Sequence, residues 1–211
     1  MDEFKDSKNI KNQPSKDTVE FVVFDMDGTI VEFNIPVDEI RRRFNIRGYI
    51  LEDILKRENR DELLRILESY EIEAAKRSRL YAGVREFTDF LRENGVVTAV
   101  YTRNSKKSVK INLERHKLNF DYIFTREDAI KPSPDPILKI IYENDFKKER
   151  CVMIGDYFFD YQTARNAGIK FWLFVNEKNR SLLNGIPYDL KFNCYFKLLE
   201  KARQYGLGMH P

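Results

Sequence analysis

The chain has 211 residues, 37 lysines and arginines against 34 aspartates and glutamates, and 42% apolar residues. That length suits one core domain with a modest insertion rather than two full domains. The near-balance of charge excludes a dedicated nucleic-acid binder, which carries a marked basic excess. Cys151 and Cys194 stand alone, with no CxxC spacing to suggest a disulfide framework or a cysteine zinc site. No stretch approaches the roughly 18 apolar residues that a bilayer span needs. The expectation is a cytoplasmic enzyme, monomer or homodimer, with no membrane or nucleic-acid partner.

In chain order, residues 1–18 are polar and aperiodic and read as a flexible lead. Val19-Glu20-Phe21-Val22-Val23-Phe24 is β-branched and aromatic, a first strand that stops at the acidic turn Asp25-Met26-Asp27-Gly28-Thr29. Asp38–Phe44, Leu51–Arg57 and Asp61–Arg79 then follow with helical periodicity and no intervening strand. Residues 33–82 therefore read as a small α-helical cap inserted after the first strand, leaving 19–32 and 83–211 as the core.

Strands and helices alternate from there. Helices are expected at Val84–Asn94, Lys106–Lys117, Pro136–Glu143 and Asp160–Asn166, with Gly95 and Gly168 as stop signals. Strands are expected at Val96–Tyr101, Tyr122–Phe124, Cys151–Ile154 and Phe171–Val175, giving five in all. Tyr195–Tyr205 closes the chain as a helix before Gly206 and Gly208. This alternation predicts an α/β fold with a doubly wound, mainly parallel sheet. The arginines Arg41, Arg42, Arg43 and Arg47 read as a solvated face. His116 is expected at the surface near a helix end and His210 in the tail.

In such a sheet, ligands gather beyond the carboxyl ends of the strands. The residues found there are Asp25 and Asp27 after the first strand, Thr102 after the second, Lys131 beyond the third, and Asp156 and Asp160 after the fourth. They fall into four motifs: Asp25-Met26-Asp27-Gly28-Thr29 as DxDGT, the strand-end Thr102, Lys131-Pro132-Ser133-Pro134-Asp135 as KPxPD, and Gly155-Asp156-Tyr157-Phe158-Phe159-Asp160 as GDxxxD. From Glu20 to about Val175 the chain thereby resembles the haloacid dehalogenase-like hydrolase superfamily, and within it the phosphoglycolate phosphatase-like phosphatases with a small helical cap.

The resemblance implies a Mg²⁺-dependent phosphatase acting on a small phosphorylated metabolite. Asp25 would be the nucleophile that forms an aspartyl-phosphate, and Asp27 its general acid and base. Asp25, Asp156 and the backbone carbonyl of Asp27 would hold Mg²⁺. Thr102 and Lys131 would bind the phosphoryl oxygens, Met26 and Arg103 would join them in the substrate site, and Asp160 would orient the metal's water or Lys131. Two residues depart from the pattern: Arg103 stands where asparagine is usual, and Tyr157 where a small hydroxyl residue is common. A sugar phosphomutase of the same superfamily and a non-catalytic phosphate-binding protein are the alternatives.

Overall fold

The computed structural model describes residues 18–181 and 185–205. The expected lead, apart from Thr18, and Gly206, Gly208 and His210 lie outside the described residues. The first strand, β1 (Phe21–Phe24), is followed by three helices, α1 (Val37–Phe44), α2 (Ile50–Leu55) and α3 (Arg60–Lys76). The alternation then runs α4 (Val84–Glu93), β2 (Val97–Tyr101), α5 (Lys106–His116), β3 (Tyr122–Phe124), α6 (Asp135–Glu143) and β4 (Cys151–Gly155). It ends with α7 (Phe158–Ala167), β5 (Lys170–Phe174), β6 (Leu190–Phe192) and α8 (Tyr195–Tyr205).

All strand pairs are parallel, in the order β3-β2-β1-β4-β5-β6. β1 is central, with Phe21 opposite both Val97 and Cys151. A strand covered on both faces must be apolar at every position, and Phe-Val-Val-Phe is. Val22 and Phe24 join α4, α5 and α8 in one core layer, whereas Phe21 and Val23 join α6 and α7 in the other. The chain leaves β1 toward β2 and β3 and returns on its other side at β4. The carboxyl end of β1 is thus the switch point at which a cleft opens.

The sheet has six strands, one more than the sequence reading. β6 is only three residues long, with Leu190 and Phe192 half-buried and Lys191 exposed, so its apolar signal is too short to register. α3 stops at Lys76, three residues before the expected end. Ser78 Oγ donates to the Ala75 carbonyl at 2.8 Å, capping the last turn in place of a further helical amide.

Helices α1–α3 enclose an apolar cluster of their own, formed by Ile40, Phe44, Ile46, Leu51, Ile54, Leu63 and Leu67. A narrow neck joins them to the sheet. Val31 pairs antiparallel with Leu80, Glu32 N donates to Arg79 O at 2.9 Å, and Tyr81 N donates to Ile30 O at 3.1 Å.

Phe24 is fully buried and meets Phe87 and Phe120 edge-on, at centroid distances of 6.3 and 5.7 Å. Phe24→Ala is expected to lower unfolding stability by about 3–5 kcal/mol in urea titration. A loss below about 1 kcal/mol would contradict this packing.

Candidate active site

The acidic turn is built by one carbonyl. Met26 O accepts from the amides of Thr29, Ile30 and Val31 at 3.4, 2.9 and 3.0 Å, while Asp25 N remains tied to Ile154 O at 2.9 Å. Gly28 sits at φ +89°, and a Cβ there would lie 2.3 Å from Asp156 Oδ2. Both facts require glycine. The turn directs Asp25 and Asp27 into a cavity of about 520 Å³ that is also lined by Thr102, Arg103, Asn104, Lys131, Asp156 and Asp160. Met26 does not line it: its side chain is fully buried in the core.

Lys131 is 1% exposed. Its Nζ donates to Asp25 Oδ1 and, at 2.7 Å, to Asp160 Oδ1. The other Asp160 oxygen accepts from the amides of Asp156 and Tyr157 at 3.1 and 3.0 Å, a carboxylate at the positive end of α7. Gly155 makes room for it, since a Cβ there would meet Asp160 Cβ at 2.3 Å. Asp160 therefore has both oxygens engaged and serves to place Lys131 against Asp25.

Three asparagines that sequence reasoning passed over complete the site. Asn104 Nδ2 donates to Asp27 Oδ2, and its amide donates to Thr102 Oγ1 at 3.3 Å. Asn176 Nδ2 bridges Gly28 O and Asp156 Oδ2, both at 2.9 Å. Asn179 Nδ2 donates to Asp156 O and Phe174 O, also both at 2.9 Å. Asn176 lies just beyond the expected fifth strand, so the rule that located the other residues could have found it.

Arg103 also lines the cavity, but both of its Nη atoms are engaged by the protein. Nη2 donates to both Glu52 carboxylate oxygens at 2.7 Å, Nη1 donates to Lys131 O at 3.1 Å, and the guanidinium lies 4.0 Å from the Phe159 ring centroid. It ties α2 to the lysine segment and to the start of α7. A second tie, between Glu71 of α3 and Arg126, is buried, and Glu71 Oε2 also accepts from Ser105 N at 3.1 Å. Tyr157 is the half-exposed residue preceding α7.

Four carboxylates, those of Asp25, Asp27, Asp156 and Asp160, line the cavity beside one ammonium, that of Lys131. Burial raises Asp25 to about 6 against the opposing pull of Lys131. Burial, and then the charge of Asp25, raise Asp27 to about 7 despite the Asn104 hydrogen bond. Asp156 is raised well above its ordinary value by burial and by the Asp25 and Asp160 charges. For Lys131 burial acts downward, but the Asp160 and Asp25 carboxylates outweigh it and hold the ammonium above its ordinary value. The site is short of positive charge. Ligand oxygens of Asp25, Asp156 and Asp160 lie within 4.8 Å of one another, and hard oxygen donors under mutual repulsion are what a hard divalent cation requires. The residues fit such an ion, with Asp25 and Asp156 as the carboxylates not wholly spent on protein donors.

A doubly wound parallel sheet with an acidic, lysine-anchored pocket at its switch point defines a class of phosphate-handling α/β hydrolase. The family model of haloacid dehalogenase-like hydrolases matches residues 33–174, and the chain belongs to that family. An uncharacterized hydrolase of Saccharomyces cerevisiae is 28% identical over 179 residues, covering 78% of this chain and 81% of the yeast protein. The pyrophosphatase PpaX of Bacillus cereus is 26% identical over 172 residues, covering 71% and 80% respectively. Among solved structures, a HAD phosphatase from Thermococcus onnurineus shares the fold at TM-score 0.65 and 22% identity, covering 90% of this chain and all of that one.

The raised pKa of Asp27 has a consequence for stability. Between about pH 4 and 7 the folded protein holds a proton there that the unfolded chain has released, so folding stability falls as pH rises through that window. In metal-free protein, wild type is expected to lose about 1–3 kcal/mol relative to Asp27→Asn between pH 5 and 8, as read from chemical denaturation in EDTA. Parallel stability curves for the two proteins would contradict the burial argument.

Proposed function

We propose that the chain is a Mg²⁺-dependent phosphatase of small phosphorylated metabolites, working through an aspartyl-phosphate on Asp25. The observation that carries this reading is the buried contact of Lys131 with Asp25, beside a second carboxylate, Asp27, whose raised value keeps it partly protonated near neutral pH. A nucleophilic carboxylate and a separate proton donor are the two groups that ester cleavage at phosphorus requires.

Asp25, Asp156 and the Asp27 carbonyl would hold Mg²⁺, which when bound neutralises carboxylate and phosphoryl charge. An Asp25 oxygen attacks phosphorus in line with the ester oxygen, and the P–O ester bond breaks as the Asp27 carboxyl donates its proton to the leaving alcohol. The Thr102 hydroxyl and the Lys131 ammonium donate to the equatorial oxygens, where charge accumulates. In the second half, Asp27, now a carboxylate, takes a proton from a water that attacks the phosphoryl group and frees Asp25. Asn104 holds Asp27 in place for both transfers. Helices α1–α3 act as a cap that excludes bulk water from the cavity.

Phosphate release from p-nitrophenyl phosphate is expected with Mg²⁺ and not with EDTA. Asp25→Asn should abolish turnover, and Asp27→Asn should lower it by about 10²–10⁴. Turnover that survives Asp25→Asn would overturn the reading.

A further inference from the structure

The cavity is far larger than a phosphoryl group needs, and most of the wall that the cap contributes is apolar. Ile35 and Val37 at the start of α1, Tyr49 and Ile50 at the start of α2, and Leu67 of α3 all line it, with Phe159 of α7 across from them. The Tyr49 and Phe159 rings meet at 4.9 Å and 64°, forming an aromatic corner backed by the Arg103 guanidinium.

The cations argue in the same direction. Four line the cavity: Arg41, Arg103, Lys131 and Lys178. Lys131 is held by Asp25 and Asp160, Arg103 by Glu52 and the Lys131 carbonyl, and the Lys178 ammonium by the Phe33 carbonyl. Arg41 is different. Its Nη1 lies 3.9 Å from the exposed Asp38 carboxylate, while its Nε is shielded from solvent and has no hydrogen-bond partner among the described residues. A substrate as small as a diphosphate or a phosphorylated hydroxy-acid would leave that apolar wall uncovered. Beyond the phosphoryl site the cavity offers a broad apolar wall and, as unspent donors, the Arg41 guanidinium and the remaining N–H bonds of Lys178.

We propose that the substrate is the phosphomonoester of an alcohol with a sizeable apolar body, aromatic or branched aliphatic, carrying a hydrogen-bond acceptor for Arg41 Nε. It is not a diphosphate or a small phosphorylated acid. This rests on the phosphatase reading above and adds the class of leaving group: the P–O ester bond breaks, water supplies the new oxygen on phosphorus, and the apolar alcohol leaves with the proton. An apolar body of this size withdraws surface from water on binding, and a hydrophobic pocket discriminates by about tenfold or more for each substantial group it encloses.

The test is a matched series hydrolysed by the full chain with Mg²⁺: ethyl, n-hexyl and 2-phenylethyl phosphate, with pyrophosphate and 2-phosphoglycolate. The three esters release the same type of alkoxide, so differences among them report the pocket rather than leaving-group chemistry. The expected result is kcat/KM for 2-phenylethyl phosphate at least about tenfold above ethyl phosphate, pyrophosphate and 2-phosphoglycolate. Ile50→Asp, which places a carboxylate in the apolar wall at the first turn of α2, should collapse that preference toward unity. Ethyl phosphate, pyrophosphate or 2-phosphoglycolate turned over as efficiently as the larger esters would overturn the inference and leave the phosphatase reading standing. No phosphate released from any compound by folded protein would instead sink the phosphatase reading. If Ile50→Asp does not fold, the wild-type series decides alone.

Discussion

The buried ammonium of Lys131, shared between Asp25 and Asp160, is the interaction on which the rest of the site depends. Taking a lysine out of water is costly unless carboxylates meet it, and removing one partner of such a cluster costs about 3–5 kcal/mol. Here one ammonium faces four carboxylates, so the cluster is held together by Lys131 and still left with excess negative charge. Asp160 spends both oxygens on fixing the lysine and the turn before α7. Asp25 and Asp156 are left facing the cavity with values raised by burial. That residual repulsion is the physical reason the site suits a divalent cation and a phosphoryl group together.

The sheet makes this arrangement possible by bringing distant segments to one edge. β1 delivers Asp25 and Asp27, β2 delivers Thr102, and β4 delivers Asp156, in three adjacent parallel strands. The glycines at 28 and 155 let these segments approach more closely than any side chain would permit. Helices α1–α3 are attached by the neck at Val31 and Leu80 and by two charged ties, Arg103 to Glu52 and Arg126 to Glu71. Because Arg103 also donates to the Lys131 carbonyl, the position of α2 and that of Lys131 are mechanically linked.

Much of this was legible in the sequence, for reasons that differ by residue. Phe21–Phe24 announces a central strand because burial on both faces demands a continuous apolar run. Lys131 stands out because the prolines that follow it define a loop leading into α6. Asn176 stands at a strand end, where the rule that located Asp25 also applies, but Asn104 and Asn179 were not legible: an asparagine's role is set by what its amide faces, and their partners lie 77 and 23 residues away in the chain. β6 escaped because three residues carry too little pattern. Arg103 followed Thr102 and was therefore read as a substrate ligand. Its carboxylate partner, 51 residues away in α2, becomes visible only once the chain is folded. The arginine run at 41–43 reads as a solvated face, and Arg42 and Arg43 are exposed, but Arg41 lines the cavity while Arg43 bonds the Tyr70 hydroxyl.

The central claim is that Asp25 is a nucleophile and not merely a metal carboxylate. The most direct measurement is rapid acid quenching of the protein during turnover of a phosphomonoester with Mg²⁺, followed by mass mapping of its peptides. The account predicts a phosphoryl group on the peptide containing Asp25, absent in Asp25→Asn and accumulating in Asp27→Asn when a good leaving group such as p-nitrophenolate carries the first step. A turning-over protein with no phosphoryl group on Asp25 at any quench time, including in Asp27→Asn, would contradict it.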